Sequence, residues 1–583
     1  MVAGTAAALV AGVWSIRAIR PALLFDPDPS WTPVRLALTL AVAGIAAAAA
    51  GVVGGALFVW SGTASFDGAI DPLPFSRRAL VGVAVAAALF GAAARAVSIR
   101  QIPWPLWVDD LSLIAPTRAL AGSWRVFSDP LRAAPYGVPH PFGTVGVVYL
   151  ELWRLCLHAF GTTVFGVRFP SLAAGVLSLA TAGLLGRELL PRGGGAAAVV
   201  ALSGLRWSLI LSRWGWVAIA LAPVLDVATL LLLRARRRSS LTLAAAAGGV
   251  AGLGAHVYLA AWIGGAALFV FAAWPAAGAA AWRRRAGISA AFALGFALAA
   301  APLLAARRGA SVPYFARAGD HNVVMEMRRT ASALPLFSAA ADALAAPWLA
   351  PDPTPRHDIP GRSRLGWILG LPVAAILARA LVFPRDELSG WLLSHAGAAA
   401  AAAVAAGQAT NPNGFRYAYL TTVTAVAAAA GALWLLGFVT RARRRLFGLV
   451  ALGLAAAGAL GAVGDTLLLW GESRETFDAF YGEDTLIARA AARWDRYGEV
   501  VVASDLGFDP LTHSPITIGV VRRERLEAAE SAGPASASRR RSFRIVAPGT
   551  PGESGERRVE RVRDGWGRER AVIWGRRGTP PAP

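Results

Sequence analysis

The sequence predicts an α-helical polytopic membrane protein with about 11 to 13 transmembrane helices and a small C-terminal α/β domain. Of its 583 residues, 56% are hydrophobic and only 16% are charged, whereas soluble globular proteins carry about 25% charged residues. The mean hydropathy is +0.51. Such a chain cannot hide its apolar surface from water, but a bilayer can accommodate it. The composition therefore excludes an ordinary cytosolic enzyme, a disordered chain and, with Cys156 as the only cysteine, a disulfide scaffold.

Twelve apolar stretches approach the length of about 20 residues that a spanning helix needs. They cover residues 36–60, 79–98, 168–190, 196–211, 216–233, 241–258, 259–278, 287–305, 364–383, 389–408, 417–439 and 446–470. Residues 1–78 form an N-terminal region with extra hydrophobic segments, where the sequence leaves open whether residues 1–35 span the membrane or lie on its surface.

Basic connectors predict the orientation of these spans. The net charge is +22, and much of it lies in short arginine clusters between apolar stretches. Every second connection carries such a cluster: Arg77–Arg78, Arg187 with Arg192, Arg234 to Arg238, Arg283 to Arg285, Arg385, and Arg441 to Arg445. Cytoplasmic loops are enriched in arginine and lysine. The pattern thus predicts an extracytoplasmic location for segment 99–167, the Arg213 turn, loop 306–363, turn 409–416 and the chain from 471.

Segment 142–160 is apolar, yet we expect it to lie at the membrane interface. Glu151, Arg154 and His158 are spaced to form one polar stripe on a helix. Charged residues cost about 2.5–3.5 kcal/mol each at the bilayer centre, and an interfacial helix avoids that cost.

The composition becomes polar from residue 471 onward, which predicts an extracytoplasmic α/β domain over 471–583. Residues 484–497 have helical spacing. Residues 499–504, 542–547, 558–562 and 569–574 have the composition of strands. A linker rich in serine, alanine and arginine interrupts this domain near 530–541.

The unusual polar residues lie in the predicted outer loops, which favours surface chemistry over transport. Asp109 and Asp110 follow a spanning helix directly, and one such carboxylate can take a proton from an attacking hydroxyl. Their alternative role is a helix cap or a pair of solvated loop aspartates. His140 lies between two prolines that fix its backbone, so it can contact a phosphate or serve as a structural turn residue.

Isolated outer arginines are candidate phosphate ligands, because guanidinium groups bind phosphate through paired hydrogen bonds. The alternative for each is a structural contact with lipid head groups. Arg416 and Tyr417 are the best candidates, since they follow a turn sequence and begin a helix. The full set of candidate substrate-binding residues is His140, Arg168, Arg213, Arg356, His357, Arg416 and Tyr417.

No metal-binding motif is predicted. Asp109 and Asp110 could hold a divalent ion, but no second acidic motif accompanies them at the Arg213 turn. The sequence also contains no P-loop, no G-x-S-x-G and no HExxH.

The order of motifs resembles a known family. WVDDLSL, HPFG, FGVRFPSLAAG, LSRWGW, DPTPRHDIPGR and FRYAYL follow one another between about 79 and 470. This order resembles the integral-membrane glycosyltransferases of the GT-C fold, of the dolichyl-phosphate-mannose protein mannosyltransferase and aminoarabinose lipid A transferase type. The resemblance implies a glycosyltransferase domain over 79–470, with 99–167 and 306–363 as its long outer loops.

The resemblance also implies a polyprenyl-phosphate sugar as donor, an acceptor lipid, glycan or protein, and inversion at the sugar carbon. By position Asp109 is the implied base and Asp110 its support, while the HPFG sequence around His140 departs from the family's HPP. The resemblance implies a reaction at the outer face of the membrane, and no nucleic acid partner is expected. Basic residues that are all arginine and helices rich in alanine indicate a high-GC bacterium, which predicts a location in the bacterial plasma membrane. Two alternatives stay open: a transporter or flippase of lipid-linked sugars, and a non-catalytic relative that binds glycolipid.

Overall fold

The computed structural model describes sixteen parts of the chain. They are residues 70–100, 102–103, 146–161, 163–274, 279–306, 322–345, 348, 354–359, 362–406, 414–471, 473–480, 482–494, 499–502, 542–554, 556–563 and 567–576. The predicted span 36–60 and the predicted linker 530–541 lie outside these residues.

Helices dominate the described chain, and they follow the predicted apolar stretches. The helices of the membrane region are Arg77–Ala96, Val147–Phe160, Val164–Leu189, Gly194–Ser203, Arg206–Trp214, Leu221–Arg238, Leu241–Ala255, Ala261–Ala273, Ala279–Ala306, Val323–Thr330, Leu334–Ala345, Gly366–Val382, Glu387–Ala406, Leu420–Gly437 and Arg441–Gly464. Eleven of the twelve predicted stretches fall in the described residues, and helix covers most of each. The α-helical polytopic fold class is therefore confirmed.

In the part of the chain that the structure describes, fewer helices are full-length spans than the 11 to 13 predicted for the whole chain. Among the described residues, seven helices are long and apolar enough to cross a membrane, and a bent pair raises the number to eight. Three further apolar helices, Leu241–Ala255, Ala261–Ala273 and Gly366–Val382, are shorter. One reason is the break near residue 204, which divides the predicted stretch 196–211 into two short helices. The break at 256–260 lies at the predicted boundary between stretches 241–258 and 259–278, but the helices on its two sides are shorter than a full span.

Small residues let helices of the bundle approach closely. A Cβ at Gly248 would lie 1.9 Å from the carbonyl oxygen of Phe292, and one at Gly295 would lie 2.0 Å from that of Ala245. These glycines bring helix Leu241–Ala255 into backbone contact with helix Ala279–Ala306. Close packing of this kind stabilises helix pairs in lipid, where the hydrophobic effect contributes little.

The basic connectors meet at one end of the bundle, which we call the basic end. Arg444 contacts Asp71 at 2.8 Å, and the amide of Leu73 donates to the carbonyl of Arg192 at 3.0 Å. Arg237 joins Glu188 at 2.6 Å and Glu387 at 2.9 Å. Connectors that are far apart in sequence therefore share one side, as the arginine pattern predicts.

Some of the predicted connector arginines belong to helices instead. Arg283 to Arg285 lie inside helix Ala279–Ala306, and Arg234 to Arg238 complete helix Leu221–Arg238. Arginine favours helix formation, and its long side chain can reach the interface from a helix end. The apolar stretch 216–233 therefore ends before its helix does, and the stretch 287–305 begins after its helix does.

Helix Val147–Phe160 is present as predicted, and its three polar residues differ in burial: Arg154 is half-buried and His158 is exposed. Glu151 is buried and accepts from Nε of Arg154 at 2.7 Å. Leu152 and Leu155 are exposed instead. The ion pair with Arg154 lets the helix bury Glu151 while leucines face the surroundings, and the interfacial location of this helix stays a prediction.

The C-terminal part forms a four-stranded sheet with two helices, Arg474–Ala479 and Gly482–Trp494. Strands β1 (Glu499–Val502), β2 (Ser542–Val546), β3 (Glu556–Arg563) and β4 (Glu569–Arg576) follow in sequence. Their order in the sheet is β1-β2-β4-β3, with β1 parallel to β2 and the other pairs antiparallel. Ile487, Trp494, Phe543 and Ile573 pack together between the second helix and the sheet. The predicted helix and strands are confirmed, and the short helix Arg474–Ala479 is an addition.

Candidate functional site

A break in one span positions the first polar group of the candidate site. Helices Gly194–Ser203 and Arg206–Trp214 are bent by 61° relative to each other, and Arg206 is the first residue after the break. Its Nε donates to Oδ1 of Asp358 at 2.9 Å, and its Nη2 donates to the carbonyl oxygen of Ser363 at 2.8 Å. The break therefore carries a charged side chain that binds the turn before helix Gly366–Val382.

The charged cluster also includes Asp465, which lies at the end of the last spanning helix. Asp465 lies 3.5 Å from Nη1 of Arg206 and also pairs with Arg362. Asp465 begins a π-helical turn, Asp465–Trp470, and such turns frequently occur at functional sites. This cluster lies away from the basic end, and we call its side of the bundle the far end.

Two further arginines of the far end, Arg364 and Arg416, lie near Tyr417. Arg364 lies over the ring of Trp207 at 5.3 Å, and Nε1 of Trp207 donates to the carbonyl oxygen of Gly414 at 3.1 Å. A Cβ at Gly414 would lie 3.0 Å from Cζ of Arg364. The glycine of the NPNGFRYAY sequence therefore leaves room for the guanidinium of Arg364 beside the 3-10 turn Gly414–Tyr417.

Electrostatics link Tyr417 to both arginines. Burial raises the pKa of the Tyr417 phenol to about 12, and the positive charges of Arg416 and Arg364 oppose that rise. Arg416 is half-buried, and among the described residues it has neither a hydrogen-bond acceptor nor a carboxylate partner. Among the described residues, the far end thus brings together four guanidinium groups, those of Arg206, Arg362, Arg364 and Arg416, and the carboxylates of Asp358 and Asp465. Positive charge concentrated in this way suits an anion.

Arg213 and Arg168 lie elsewhere, and both are buried. The guanidinium of Arg213 donates to the carbonyl oxygens of Ala94, Arg95, Val97 and Ile102 at 2.6–3.2 Å. That of Arg168 donates to Ile99 and Pro103 at 2.7 and 2.8 Å. The last carbonyls of a helix have no partner within it, and an apolar environment makes an unpaired carbonyl costly.

These contacts give both arginines a structural task that the sequence did not indicate. Their hydrogen bonds satisfy the last carbonyls of helix Arg77–Ala96 and hold the backbone that follows it, as far as Pro103. Arg168 also lies in the second turn of helix Val164–Leu189 rather than at its start. Because both guanidinium groups already bind backbone carbonyls, a structural role explains Arg168 and Arg213 better than the predicted contact with substrate.

Arg356 and His357 connect the membrane region to the C-terminal part. Nη1 of Arg356 donates to the carbonyl oxygen of Ala479 at 3.0 Å. The ring of His357 lies 5.3 Å from that of Trp214, which in turn contacts Phe480 at 5.7 Å. The DPTPRHD motif thus joins helix Arg206–Trp214 to the end of helix Arg474–Ala479, a position that its sequence did not reveal.

Three predicted site residues, Asp109, Asp110 and His140, lie outside the described residues. Within the described chain, no group of three or more His, Cys, Asp or Glu residues could hold a metal ion.

Four residues of the charged cluster escaped the sequence reasoning: Arg206, Asp358, Arg362 and Arg364. Each has a signal in the sequence. Arg206 interrupts the apolar stretch 196–211, and the other three lie in or beside the quoted DPTPRHDIPGR motif. The fifth member of the cluster, Asp465, is a carboxylate inside the apolar stretch 446–470. What the sequence could not show is that these residues, up to 259 positions apart, lie together.

Comparison with solved structures finds chains of similar fold. One is the crystal structure of ArnT from Cupriavidus metallidurans bound to undecaprenyl phosphate, with 13% identity, 87% of this chain and 100% of that chain covered, and a TM-score of 0.47. Another is the archaeal oligosaccharyltransferase AglB from Archaeoglobus fulgidus in complex with an inhibitory peptide and a dolichol-phosphate, with 15% identity, 76% and 63% covered, and a TM-score of 0.41. Both have the GT-C fold, the class that the sequence motifs resemble. No protein-family model and no curated protein matches the chain.

Proposed function

We propose that the protein is an inverting glycosyltransferase that moves a sugar from a polyprenyl-phosphate donor to an acceptor hydroxyl at the extracytoplasmic membrane face. The observation that carries this proposal is the concentration of guanidinium groups among the described residues of the far end, where Arg364 and Arg416 lie near Tyr417. A membrane-embedded enzyme that acts on a lipid phosphate needs such a concentration of positive charge where the head group meets the bilayer.

Arg416 is the central phosphate ligand in this proposal. Among the described residues it has no hydrogen-bond acceptor and no carboxylate partner, so within that part of the chain an anion would not displace an ion pair. Arg364 adds a second positive charge, and the phenol of Tyr417 keeps its proton and can donate a hydrogen bond. Guanidinium groups hold phosphate oxygens through paired, charge-assisted hydrogen bonds. The same groups stabilise the negative charge that grows on the phosphate as the sugar departs.

The transfer step needs a base, and we assign it to Asp109. Its carboxylate takes the proton of the acceptor hydroxyl while that oxygen forms a bond to the anomeric carbon from the face opposite the phosphate. The bond between the anomeric carbon and the phosphate oxygen breaks, and its electron pair leaves with the polyprenyl phosphate. The attack inverts the configuration of the sugar carbon. Asp110 supports the base, and His140 orients the acceptor or the phosphate.

Asp109→Asn tests the base. We expect this variant, purified in full length, to bind undecaprenyl phosphate like the wild type and to transfer sugar from undecaprenyl-phosphate-linked donors at least about 100-fold more slowly, since general base catalysis contributes about 10²–10⁴-fold. Asp110→Asn is the matched comparison and should retain more activity. Unchanged turnover by Asp109→Asn would reject the assigned base.

Arg416→Gln tests the phosphate site independently of the chemistry. We expect the affinity for undecaprenyl phosphate to fall by about tenfold or more, because a charge-assisted hydrogen bond contributes about 1.5–3 kcal/mol. Arg443→Gln is the matched control, since Arg443 is exposed and lies at the basic end. Equal affinities for the two variants would contradict the site.

A transporter or flippase of lipid-linked sugars is the second candidate, and Asp226 favours it. This carboxylate is buried within helix Leu221–Arg238 and accepts from the hydroxyl of Thr181 at 2.5 Å. Ionisable groups inside the membrane often mark transport pathways. A transporter would move the lipid-linked sugar across reconstituted vesicles without cleaving it, whereas a glycosyltransferase would release polyprenyl phosphate. A non-catalytic relative would bind the lipid and do neither.

A further inference from the structure

One corner of the basic end concentrates arginines from two helix termini. Arg236 to Arg238 complete helix Leu221–Arg238, and Arg283 to Arg285 lie in the first turns of helix Ala279–Ala306. The sequence has no aspartate or glutamate over residues 227–319. Any carboxylate that compensates these six charges must therefore come from another segment of the chain.

Tertiary contacts bring the two helix termini together. Leu241 begins the helix that follows Arg238, and a Cβ at Gly287 would lie 3.5 Å from Cδ2 of Leu241. The guanidinium groups of Arg236 and Arg285 are close enough to repel each other electrostatically. The positive charges therefore accumulate at one place on the protein instead of being spread around the bundle.

The carboxylates that reach this corner within the described chain are already bound. Arg237 pairs with Glu188 at 2.6 Å and with Glu387 at 2.9 Å. Arg236 lies 3.7 Å from Glu387 as well, and its Nη1 donates to the carbonyl oxygen of Ala272 at 3.3 Å. These contacts use both carboxylates on the inner arginines, so the outer arginines keep their full charge.

The outer arginines are Arg238, Arg283 and Arg284, which we call the arginine patch. All three are exposed, and among the described residues they have neither a carboxylate partner nor a hydrogen-bond acceptor. Trp282, which directly precedes Arg283, is 63% exposed, and Leu241 is 56% exposed. A ligand therefore reaches the arginine patch and its apolar neighbours from outside, without any opening of the bundle.

The chemistry and the position of the arginine patch define its ligand. Guanidinium groups bind phosphate oxygens through paired, charge-assisted hydrogen bonds. Trp282 to Arg284 lie in the first turn of the span Ala281–Ala305, where a membrane protein meets lipid head groups, and an exposed tryptophan is typical of that level. Clusters of basic residues at the ends of spanning helices attract anionic lipids. Phosphate attached to a lipid therefore fits this corner better than a soluble anion.

We propose that the arginine patch binds the phosphodiester of a phospholipid with a net negative charge, in the leaflet at the basic end. The lipid phosphate receives hydrogen bonds from the guanidinium groups, and its glycerol and acyl chains lie against Trp282 and Leu241. A phospholipid whose head group carries its own cation is a poorer ligand, because that cation faces the same positive charges. This site is separate from the far end and does not depend on the proposed glycosyltransferase function.

Native mass spectrometry of the full-length protein in detergent tests the patch. The probes are phosphatidylglycerol and phosphatidylcholine with identical acyl chains. We expect the wild type to bind phosphatidylglycerol at least about fivefold more tightly, since one arginine near an anionic head group contributes about fivefold in affinity. The triple variant Arg238→Gln, Arg283→Gln, Arg284→Gln should lose about tenfold or more of the affinity for phosphatidylglycerol. Its affinity for phosphatidylcholine should not change.

A second triple variant is the matched control. Arg77→Gln, Arg78→Gln and Arg443→Gln remove the same charge from exposed positions of the basic end outside the patch, and phosphatidylglycerol should bind as in the wild type. Arg284→Gln alone is a milder change, for the case that the patch variant does not fold, and should weaken phosphatidylglycerol binding about fivefold.

Four results would overturn the proposal. The first is equal affinity of the wild type for the two lipids, and the second is an equal loss in the patch variant and the control. The third is binding of glycerol 1-phosphate as tightly as phosphatidylglycerol, which would assign the patch to a soluble phosphate. The fourth is displacement of phosphatidylglycerol by a short glutamate peptide, which would assign it to an acidic protein segment.

Discussion

Arg206 and Asp358 form a buried ion pair across the break in the bent span. The Nε and Oδ1 atoms lie 2.9 Å apart, and the side chains are 10% and 0% exposed. The two residues are 152 positions apart in the chain. The pair fixes the turn at residues 354–359 to the first turn after the break, and it thereby positions the walls of the candidate site.

Asp358→Asn should destabilise the protein by about 3 kcal/mol, because removing one partner of a buried ion pair leaves the other charge uncompensated. Asp465 still faces Arg206 at 3.5 Å and limits the loss. Denaturant unfolding in detergent measures the effect. Glu553→Gln is the control, since Glu553 is 73% exposed in its pair with Arg544 and should contribute less than about 1 kcal/mol. Similar losses in the two variants would contradict the assigned role of the buried pair.

Arg213→Lys distinguishes a structural role of Arg213 from substrate binding. An ammonium group cannot reproduce the fork that reaches the carbonyls of Ala94, Arg95, Val97 and Ile102. We therefore expect a loss of roughly 2–3 kcal/mol in the free energy of unfolding, with little change in the affinity for undecaprenyl phosphate. Arg78→Lys, at an exposed position, should unfold like the wild type. Weaker lipid binding with normal stability would instead support the substrate contact predicted from the sequence.

Arg356→Ala should loosen the C-terminal part from the membrane region. The variant removes the donor to the carbonyl oxygen of Ala479, which is a hydrogen bond to a charged group and contributes about 1.5–3 kcal/mol. Faster hydrogen exchange over residues 474–494 is the expected result. Arg474→Ala removes an exposed arginine of the same helix and should leave exchange near the wild-type rate. Unchanged exchange in Arg356→Ala would contradict this role, because the aromatic contacts of His357 would then be enough to hold the C-terminal part against the membrane region.

Tyr417 should remain protonated over the whole working pH range. Burial raises the pKa of its phenol from 10.0 to about 12 in the folded protein, so the unfolded chain releases this proton first as the pH rises. Stability should therefore fall between about pH 10 and 12, and Tyr417→Phe should reduce that fall. Absorbance of tyrosinate, compared between the wild type and Tyr417→Phe, reports the titration. A phenol that titrates near pH 10 would contradict the buried position.

Chemical labelling tests the orientation on which the proposed function depends. A cysteine introduced by Ser112→Cys, beside the acidic doublet, should react from the outside of intact cells with a membrane-impermeant maleimide. Arg443→Cys, at the basic end, should react only after permeabilisation. The native Cys156 is buried, so its background should be low. Labelling of Ser112→Cys from the cytosolic side only would overturn the orientation.

The membrane class, the helical stretches and the shared side of the basic connectors follow from the sequence. Each depends on local composition, since about 20 apolar residues predict a span wherever they occur. The strands near 542–547 and 569–574 follow from residue types in the same way. The turn sequence before Arg416 and Tyr417 made them candidate phosphate ligands, and that role stays a prediction.

The roles of the charged side chains depended on the tertiary structure. Arg168, Arg213 and Arg416 have the same side chain and similar apolar neighbours in sequence, yet two bind backbone carbonyls and one has no partner among the described residues. What an arginine binds is set by the helices that pack beside it and not by its own segment. Composition therefore determined that this chain lies in a membrane, whereas only the packing of distant segments decided which arginines bind backbone carbonyls and which have no such bond among the described residues.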